Sequence, residues 1–105
     1  MKKKDSFTFK DGWVAEQIFE LKLFITGASP NSARAIANLK TFCEEHADYQ
    51  YNLEIIDVYQ QPLKASNEDI IALPMLVKYS PLPMRRLIGD MSDTEKMLKG
   101  LGLNR

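Results

Sequence analysis

Three closely spaced prolines, Pro74, Pro81 and Pro83, constrain the fold of this chain more than any other feature of its sequence. Proline fixes its own φ and carries no backbone donor, so these residues dictate where the chain turns. The apolar runs Met75–Tyr79 and Met84–Ile88 flank the last two prolines and predict two strands. Because the connection between them is short, the strands should be antiparallel neighbours. A bond before proline is also where a cis peptide is least unfavourable.

The N-terminal half of the chain predicts a strand, a helix and a second strand. Apolar residues dominate segment 19–26, which predicts a largely buried strand. Ser29 followed by Pro30 is a favoured start for a helix, which should end near residues 46–48. A second strand is predicted over Leu53–Val58. Two strands joined by a helix in this way imply a parallel pair with a right-handed crossover.

The remaining segments predict two short helices around the proline-rich strands. A loop after the second strand leads to a helix over residues 67–72, capped by Ser66 or Asn67. The last helix should begin at Ser92, with Glu95 completing a capping box. The complete order is βαβαββα, an α/β chain of thioredoxin-like topology.

The length of 105 residues suits a single domain. We expect a leader over residues 1–20 and the folded domain over residues 21–105, with Trp13 and Phe19 covering an edge of the domain or a dimer neighbour. The basic start lacks the apolar stretch of a secretory signal, and no segment approaches the ~20 apolar residues of a membrane span. These features predict a soluble, cytoplasmic protein without a membrane partner.

Composition and cysteine usage argue against several kinds of chemistry. Lys plus Arg and Asp plus Glu number 14 each, so net charge gives no case for nucleic-acid binding. A redox thioredoxin needs Cys-x-x-Cys at the start of its first helix, where this chain has Ser29 to Ser32. The lone Cys43 is predicted to be a buried structural residue. His46 has no partner at metal-ligand spacing, so we expect no metal, no cofactor and no enzymatic activity.

Helical spacing divides the first predicted helix into an apolar and a polar side. The apolar side should contain Ala33, Ile36, Ala37, Leu39, Cys43 and Ala47.

Basic residues concentrate on the two proline-flanked strands. Lys78 lies in the first of them, and Arg85 and Arg86 lie in the second. Successive side chains of a strand point to opposite faces, so at least one of the two arginines should be a surface or interface group. Two interpretations stay open: local salt bridges to Asp90, Asp93 or Glu95, or recognition of a protein partner's carboxylates.

Four blocks of this sequence, in order and without insertions, resemble the KaiB family of clock-associated proteins. The first is Gly27 to Ala35 (GASPNSARA), and the second is Glu54 to Val58 followed by Pro62. The third is Ala72 to Pro74 with Lys78, and the fourth is the segment 81–93, PLPMRRLIGDMSD. The resemblance covers about four fifths of the chain, from Leu21 to Leu101.

The resemblance implies a fold and a set of site residues. It implies a thioredoxin-like fold with cis Pro74, in a family whose members also adopt a second, tetrameric fold. Partner binding is implied for Arg34, Lys78, Arg85 and Arg86. A structural or switching role is implied for Pro74, Pro81, Pro83, Gly89, Asp90 and Gly100. Gly102 stands where the family often has aspartate, so we expect this chain to rest mainly in the thioredoxin-like fold.

The resemblance also implies a function. It suggests a non-enzymatic regulator that binds the ring of a KaiC-like ATPase and modulates its phosphorylation cycle. A histidine kinase and a second copy of the chain are further candidate partners. The alternative is an adaptor that works in stress adaptation without a KaiC-like partner.

Overall fold

A computed structural model describes residues 18–103 and folds them into a four-stranded mixed sheet with helices on both faces. The elements are β1 (Ile18–Ile25), α1 (Pro30–Glu45), β2 (Gln50–Asp57), α2 (Pro62–Ala65), β3 (Met75–Ser80), β4 (Arg85–Ile88) and α3 (Thr94–Leu101). This order confirms the predicted βαβαββα topology. The strand that begins at Ile18 includes the last three residues of the predicted leader, while Trp13 lies outside the described residues.

The strand order in the sheet is β2-β1-β3-β4. β1 pairs with β2 in parallel, as the strand–helix–strand pattern predicts, and Leu23 lies opposite Ile55. β3 pairs antiparallel with both β1 and β4. The predicted antiparallel strands around Pro81 and Pro83 are therefore confirmed. Both edges of the sheet, β2 and β4, are open along their outer side in the described part of the chain.

The main core fills the face of the sheet that α1 and α3 cover. Alternate residues of β1, from Phe19 to Ile25, point into it together with Leu76 of β3. α1 buries Ser32, Ala35, Leu39 and Phe42, and α3 buries Met97, Gly100 and Leu101. Phe19, predicted to cover an edge, is instead a core residue with only 2% of its surface exposed.

The predicted apolar side of α1 is partly wrong. Ala33, Ala37 and Ala47 are exposed, and the buried stripe is shifted so that Phe42 enters the core. Burying a phenylalanine ring removes far more apolar surface from water than burying alanine methyl groups. Leu39 lies in both the predicted and the observed stripe, and Ile36 and Cys43 pack at its margin.

The opposite face of the sheet carries a second, smaller core. Its buried members are Phe24, Ile56, Met75 and Val77. α2 and the segment that follows it contribute partly buried residues, among them Ala65, Ile70 and Leu73. This cover extends over only part of the face; elsewhere β1 and β2 carry the polar residues Glu20, Lys22, Asn52 and Glu54 on it.

Two helix boundaries differ from the sequence-based expectation. The helix predicted over residues 67–72 is wrong: α2 lies earlier, with Pro62 in its first turn, and Ser66 is its C-cap. Proline favours that first turn because its fixed φ is already helical. The cap of α3 is Asp93 instead of Ser92, and its carboxylate accepts from the Lys96 amide at 3.1 Å.

The peptide bonds before Pro74, Pro81 and Pro83 are all cis. Gly27, Gly89 and Gly102 adopt positive φ angles. Met91 is the non-glycine residue within residues 18–103 that does so. No helix within residues 18–103 is long and apolar enough to cross a membrane.

Candidate functional site

Lys78 and Arg85 are the two predicted partner-binding residues that the structure brings together. They face each other across the β3–β4 ladder, on the face of the sheet that carries α1 and α3. Lys78 is almost completely buried, with 3% of its surface exposed. Within residues 18–103 neither cation has a carboxylate oxygen within the 4.0 Å of an ion pair. Burial, together with the neighbouring Arg85 guanidinium, lowers the pKa of Lys78.

The C-terminal end of α3 lies next to this pair. A Cβ placed on Gly102 would lie 3.8 Å from the Lys78 ammonium. Gly102 adopts φ 77° and ends the helix, and the Leu103 amide donates to the carbonyl of Leu98. The last turn of α3 also carries the exposed Lys99. The charged side chains that the structure describes at this corner are therefore all positive.

Arg86 lies on the opposite face of the sheet, as strand alternation predicts. Its nearest carboxylate is that of Asp69, with Nη2 and Oδ2 3.9 Å apart. The Nε of Arg86 and the hydroxyl of Tyr79 are buried and make no hydrogen bond within the described chain. Burial, with a contribution from the carboxylate of Glu68, raises the pKa of Tyr79.

Arg34 lies at the other end of the sheet, near the start of α1. Its Nε is 3.5 Å from Oδ2 of Asp90, and its guanidinium also donates to the Asn31 side chain. Hydrogen bonds from Ser92, together with the Arg34 charge, hold the pKa of Asp90 below its usual range. The side chain of Asn38 donates to the Asp90 carbonyl at 2.8 Å. The four predicted basic residues thus occupy three separate places instead of one cluster.

The residues predicted to have a structural or switching role differ in their packing: Pro74 and Gly100 are buried, whereas Pro83 is exposed and a Cβ on Gly89 would meet no atom within 4 Å. The carbonyl of Pro74 accepts from the Gly89 amide at 3.1 Å. Gly100 packs directly on β4, because a Cβ at this position would lie 2.6 Å from the Leu87 side chain. Pro81 and Pro83 enclose the exposed β3–β4 turn.

The apex of that turn is a feature that sequence reasoning missed. Leu82 is 80% exposed and Met84 is 39% exposed. Met84 directly precedes Arg85, and Leu82 lies three residues before it. The sequence does contain a signal for this exposure: Leu82 lies between two prolines in a turn. A polar residue is more usual at such a position.

The place where redox thioredoxins carry two thiols is occupied here by hydroxyl groups. Ser29 caps α1, and its hydroxyl lies 2.9 Å from that of the fully buried Ser32. Ser32 in turn accepts from the Thr26 amide at 3.1 Å. Burial and the Glu44 carboxylate raise the pKa of the Cys43 thiol to about 11. Within residues 18–103, no three His, Cys, Asp or Glu side chains come together in a way that could hold a metal ion.

Comparison with known protein families identifies a match over most of the chain. The family profile described as the KaiB domain matches residues 22–103. The circadian clock protein KaiB3 of Synechocystis sp. is 52% identical over 83 residues, which are 79% of this chain and 81% of that protein. The circadian clock oscillator protein KaiB of Prochlorococcus marinus is 47% identical over 90 residues, which are 86% of this chain and 84% of that protein.

Solved structures of low sequence identity share the fold. The N-terminal domain of Synechococcus elongatus SasA matches with a TM-score of 0.68 at 20% identity, covering 93% of this chain and 95% of that domain. Chloroplastic thioredoxin z matches with a TM-score of 0.65 at 18% identity, covering 81% of this chain and 76% of that protein. These likenesses confirm the predicted thioredoxin-like fold.

Proposed function

The chain belongs to the KaiB family, and from this premise we propose that it is a non-enzymatic regulator that docks on the ring of a KaiC-type ATPase. In this proposal, docking modulates the phosphorylation cycle of the ATPase. The names of the similar proteins, which are circadian clock proteins, support a regulatory role in rhythmic signalling. The proposed location is the cytoplasm, where such an ATPase would meet its nucleotide.

The observation that carries the proposal is the Lys78–Arg85 pair. The side chain of Lys78 is buried and its charge is partly desolvated, and a desolvated charge without a partner carboxylate is unfavourable. Groups of this kind concentrate at functional sites, where a ligand or partner supplies the missing charge. A protein surface with a carboxylate directed at this corner would supply it. Arg34 and Arg86 already face Asp90 and Asp69, so in this proposal they position their loops instead of making the principal contact.

We further propose that the free chain rests in the thioredoxin-like fold. Gly102 adopts a left-handed conformation, φ 77°, at the end of α3. Glycine enters this region without the steric penalty that aspartate meets there. Solution NMR of the free protein should give the strand order β2-β1-β3-β4. A tetramer with a different strand order as the main species would contradict the proposal.

The docking proposal is tested by capture of the purified chain on the KaiC-type ATPase of the same organism. Capture should be measured with ATP and with ADP, with the Arg85→Ala variant as a comparison and its thermal unfolding as a folding control. Capture that depends on the nucleotide and weakens in the variant would support the proposal. A well-folded wild-type chain that is not captured in either nucleotide state would overturn it and favour an adaptor independent of such an ATPase.

A further inference from the structure

The exposed β3–β4 turn is continuous along the chain with the buried Lys78 on one side and the exposed Arg85 on the other. We define the turn surface as Lys78, Leu82, Met84 and Arg85. The backbone leaves the buried Lys78, reverses direction at the apex, and returns in Arg85 directly opposite. An apolar apex therefore adjoins two positive charges.

Leu82 is an unusual choice at this apex. With 80% of its surface in contact with solvent, it contributes almost no apolar burial to the fold. Proline on either side fixes φ at the neighbouring residues, so the turn has less conformational freedom to lose when it binds. A preorganised apolar side chain on a projecting turn has the properties of an interface anchor.

Several lysines of residues 18–103 have no carboxylate within ion-pair distance, and Lys78 differs from them because it is buried. Arg34 pairs with Asp90, and Lys64 pairs with Glu54. Lys78 and Arg85 have no carboxylate of the described residues within ion-pair distance, although burial makes an unpaired Lys78 unfavourable. The turn surface is therefore complementary to a negatively charged surface.

We propose that the turn surface recognises a folded partner protein that presents a carboxylate beside an apolar recess. Leu82 enters the recess, and the carboxylate bridges Lys78 and Arg85, with Met84 at the margin. This inference rests on the proposed docking function and adds the chemistry of the partner's surface. Leu82 is a specificity residue in it, because a partner with an acidic patch but no recess would gain only the charge contact.

The experiment measures the affinity of the full chain for the KaiC-type ATPase, in the nucleotide state that captures the wild-type protein. Leu82→Ser is compared with Leu63→Ser, a matched control that removes a leucine 85% exposed on α2. We expect Leu82→Ser to lower the affinity about 10-fold or more, as hot-spot truncations do, and Leu63→Ser to change it less than about 3-fold. Thermal unfolding should be unchanged in both variants, because neither leucine is buried.

Two further measurements separate this inference from its alternatives. The Leu82→Ser and Arg85→Ala changes should be non-additive when combined, because they contact one partner surface. Equal affinities for Leu82→Ser and Leu63→Ser, with the wild-type chain still captured, would overturn the inference and leave the docking function standing. Failure of the wild-type chain to bind would overturn both. Concentration-dependent self-association that Leu82→Ser abolishes would assign the turn surface to a second copy and also overturn the inference.

Discussion

The two ends of the sheet treat their charged residues in opposite ways. At the end where α1 begins, Arg34 faces Asp90, Asn38 donates to the Asp90 carbonyl, and Gly89 donates to Pro74. At the end where α3 finishes, Lys78 and Arg85 lie side by side without a carboxylate among the described residues. The first arrangement satisfies its own polar groups and holds the loops together. In our proposal, the second arrangement leaves a positive charge that a partner's carboxylate pairs with.

This difference indicates that the basic residues implied by the family resemblance need not all have the same role. Arg85 and Arg86 are adjacent in sequence, yet they lie on opposite faces of β4, and within residues 18–103 only Arg86 of the two faces a carboxylate, that of Asp69. Changes at the unpaired end should therefore alter binding. Changes at the paired end, or in the packing between β4 and α3, should alter stability.

The largest expected effect is a loss of binding from the unpaired end. Replacing Lys78 by Met together with Arg85 by Ala should lower the affinity for the KaiC-type ATPase about 100-fold, or roughly 3 kcal/mol, because both charges of the proposed contact disappear. Titration calorimetry would measure this loss. Arg34→Ala, at the paired end, is the control, and an equal loss in that variant would contradict the comparison.

A loss of folding stability should follow from filling the contact between α3 and β4. The Cβ of Gly100→Ala would meet the Leu87 side chain at 2.6 Å, and overpacking of this kind costs about 1–3 kcal/mol. Urea unfolding would measure it. Glu95→Ala, which truncates an exposed side chain on the same helix, should change stability by less than about 0.5 kcal/mol. A Gly100→Ala chain as stable as wild type would contradict this expectation and show that the Leu87 side chain moves aside without cost.

A gain in stability is expected when the buried charge alone is removed. Lys78→Met should raise the free energy of unfolding by about 1 kcal/mol near neutral pH, because it eliminates a desolvated cation. The pKa of Lys78 is lowered in the folded state, so between that value and the unfolded pKa near 10.4 the unfolded chain holds more protons. Wild-type stability therefore rises with pH in this window, and the advantage of the variant shrinks. Chemical denaturation of the wild type and of Lys78→Met across that pH range measures the difference in their free energies of unfolding. A difference that does not change with pH would contradict the assignment to the Lys78 charge.

The smallest effect belongs to the paired end. Asp90→Asn should lower stability slightly at neutral pH, because it removes the charge that faces Arg34. The folded pKa of Asp90 lies below its ordinary 3.8, so this contribution is present above the ordinary value and is lost as pH falls through the folded value. Thermal unfolding of both proteins from pH 7 to pH 2 should show the difference disappearing at acid pH. A difference that grows toward acid pH would contradict the assignment.

The order of elements could be predicted because each one depends on local chemistry. Pro74, Pro81 and Pro83 fix the turns around β3 and β4, and Ser29 with Pro30 starts α1 as expected. The N-cap of α3 was predicted wrongly because two adjacent residues both favour that position. Ser92 and Asp93 are both good caps, and only the geometry of the Asp90 turn, in which the Ser92 amide donates to Asp90, selects Asp93.

The candidate site could be predicted only in part. Strand alternation correctly separates Arg85 from Arg86, because it is a property of the backbone alone. The burial of Lys78 and the exposure of Leu82 depend on where α3 ends and on how far the turn projects beyond the sheet. Those are tertiary properties that a local pattern does not contain. The Arg34–Asp90 pair joins residues far apart in sequence, so a local sequence pattern does not predict it either.

The most direct test compares two neighbouring arginines. The affinity of the KaiC-type ATPase should be measured for Arg85→Ala and for Arg86→Ala, in the nucleotide state that captures the wild-type chain and with both variants shown to be folded. The account predicts a loss of about 10-fold or more for Arg85→Ala and less than about 3-fold for Arg86→Ala. A loss in Arg86→Ala equal to or greater than that in Arg85→Ala would place the partner on the opposite face of the sheet and contradict the account.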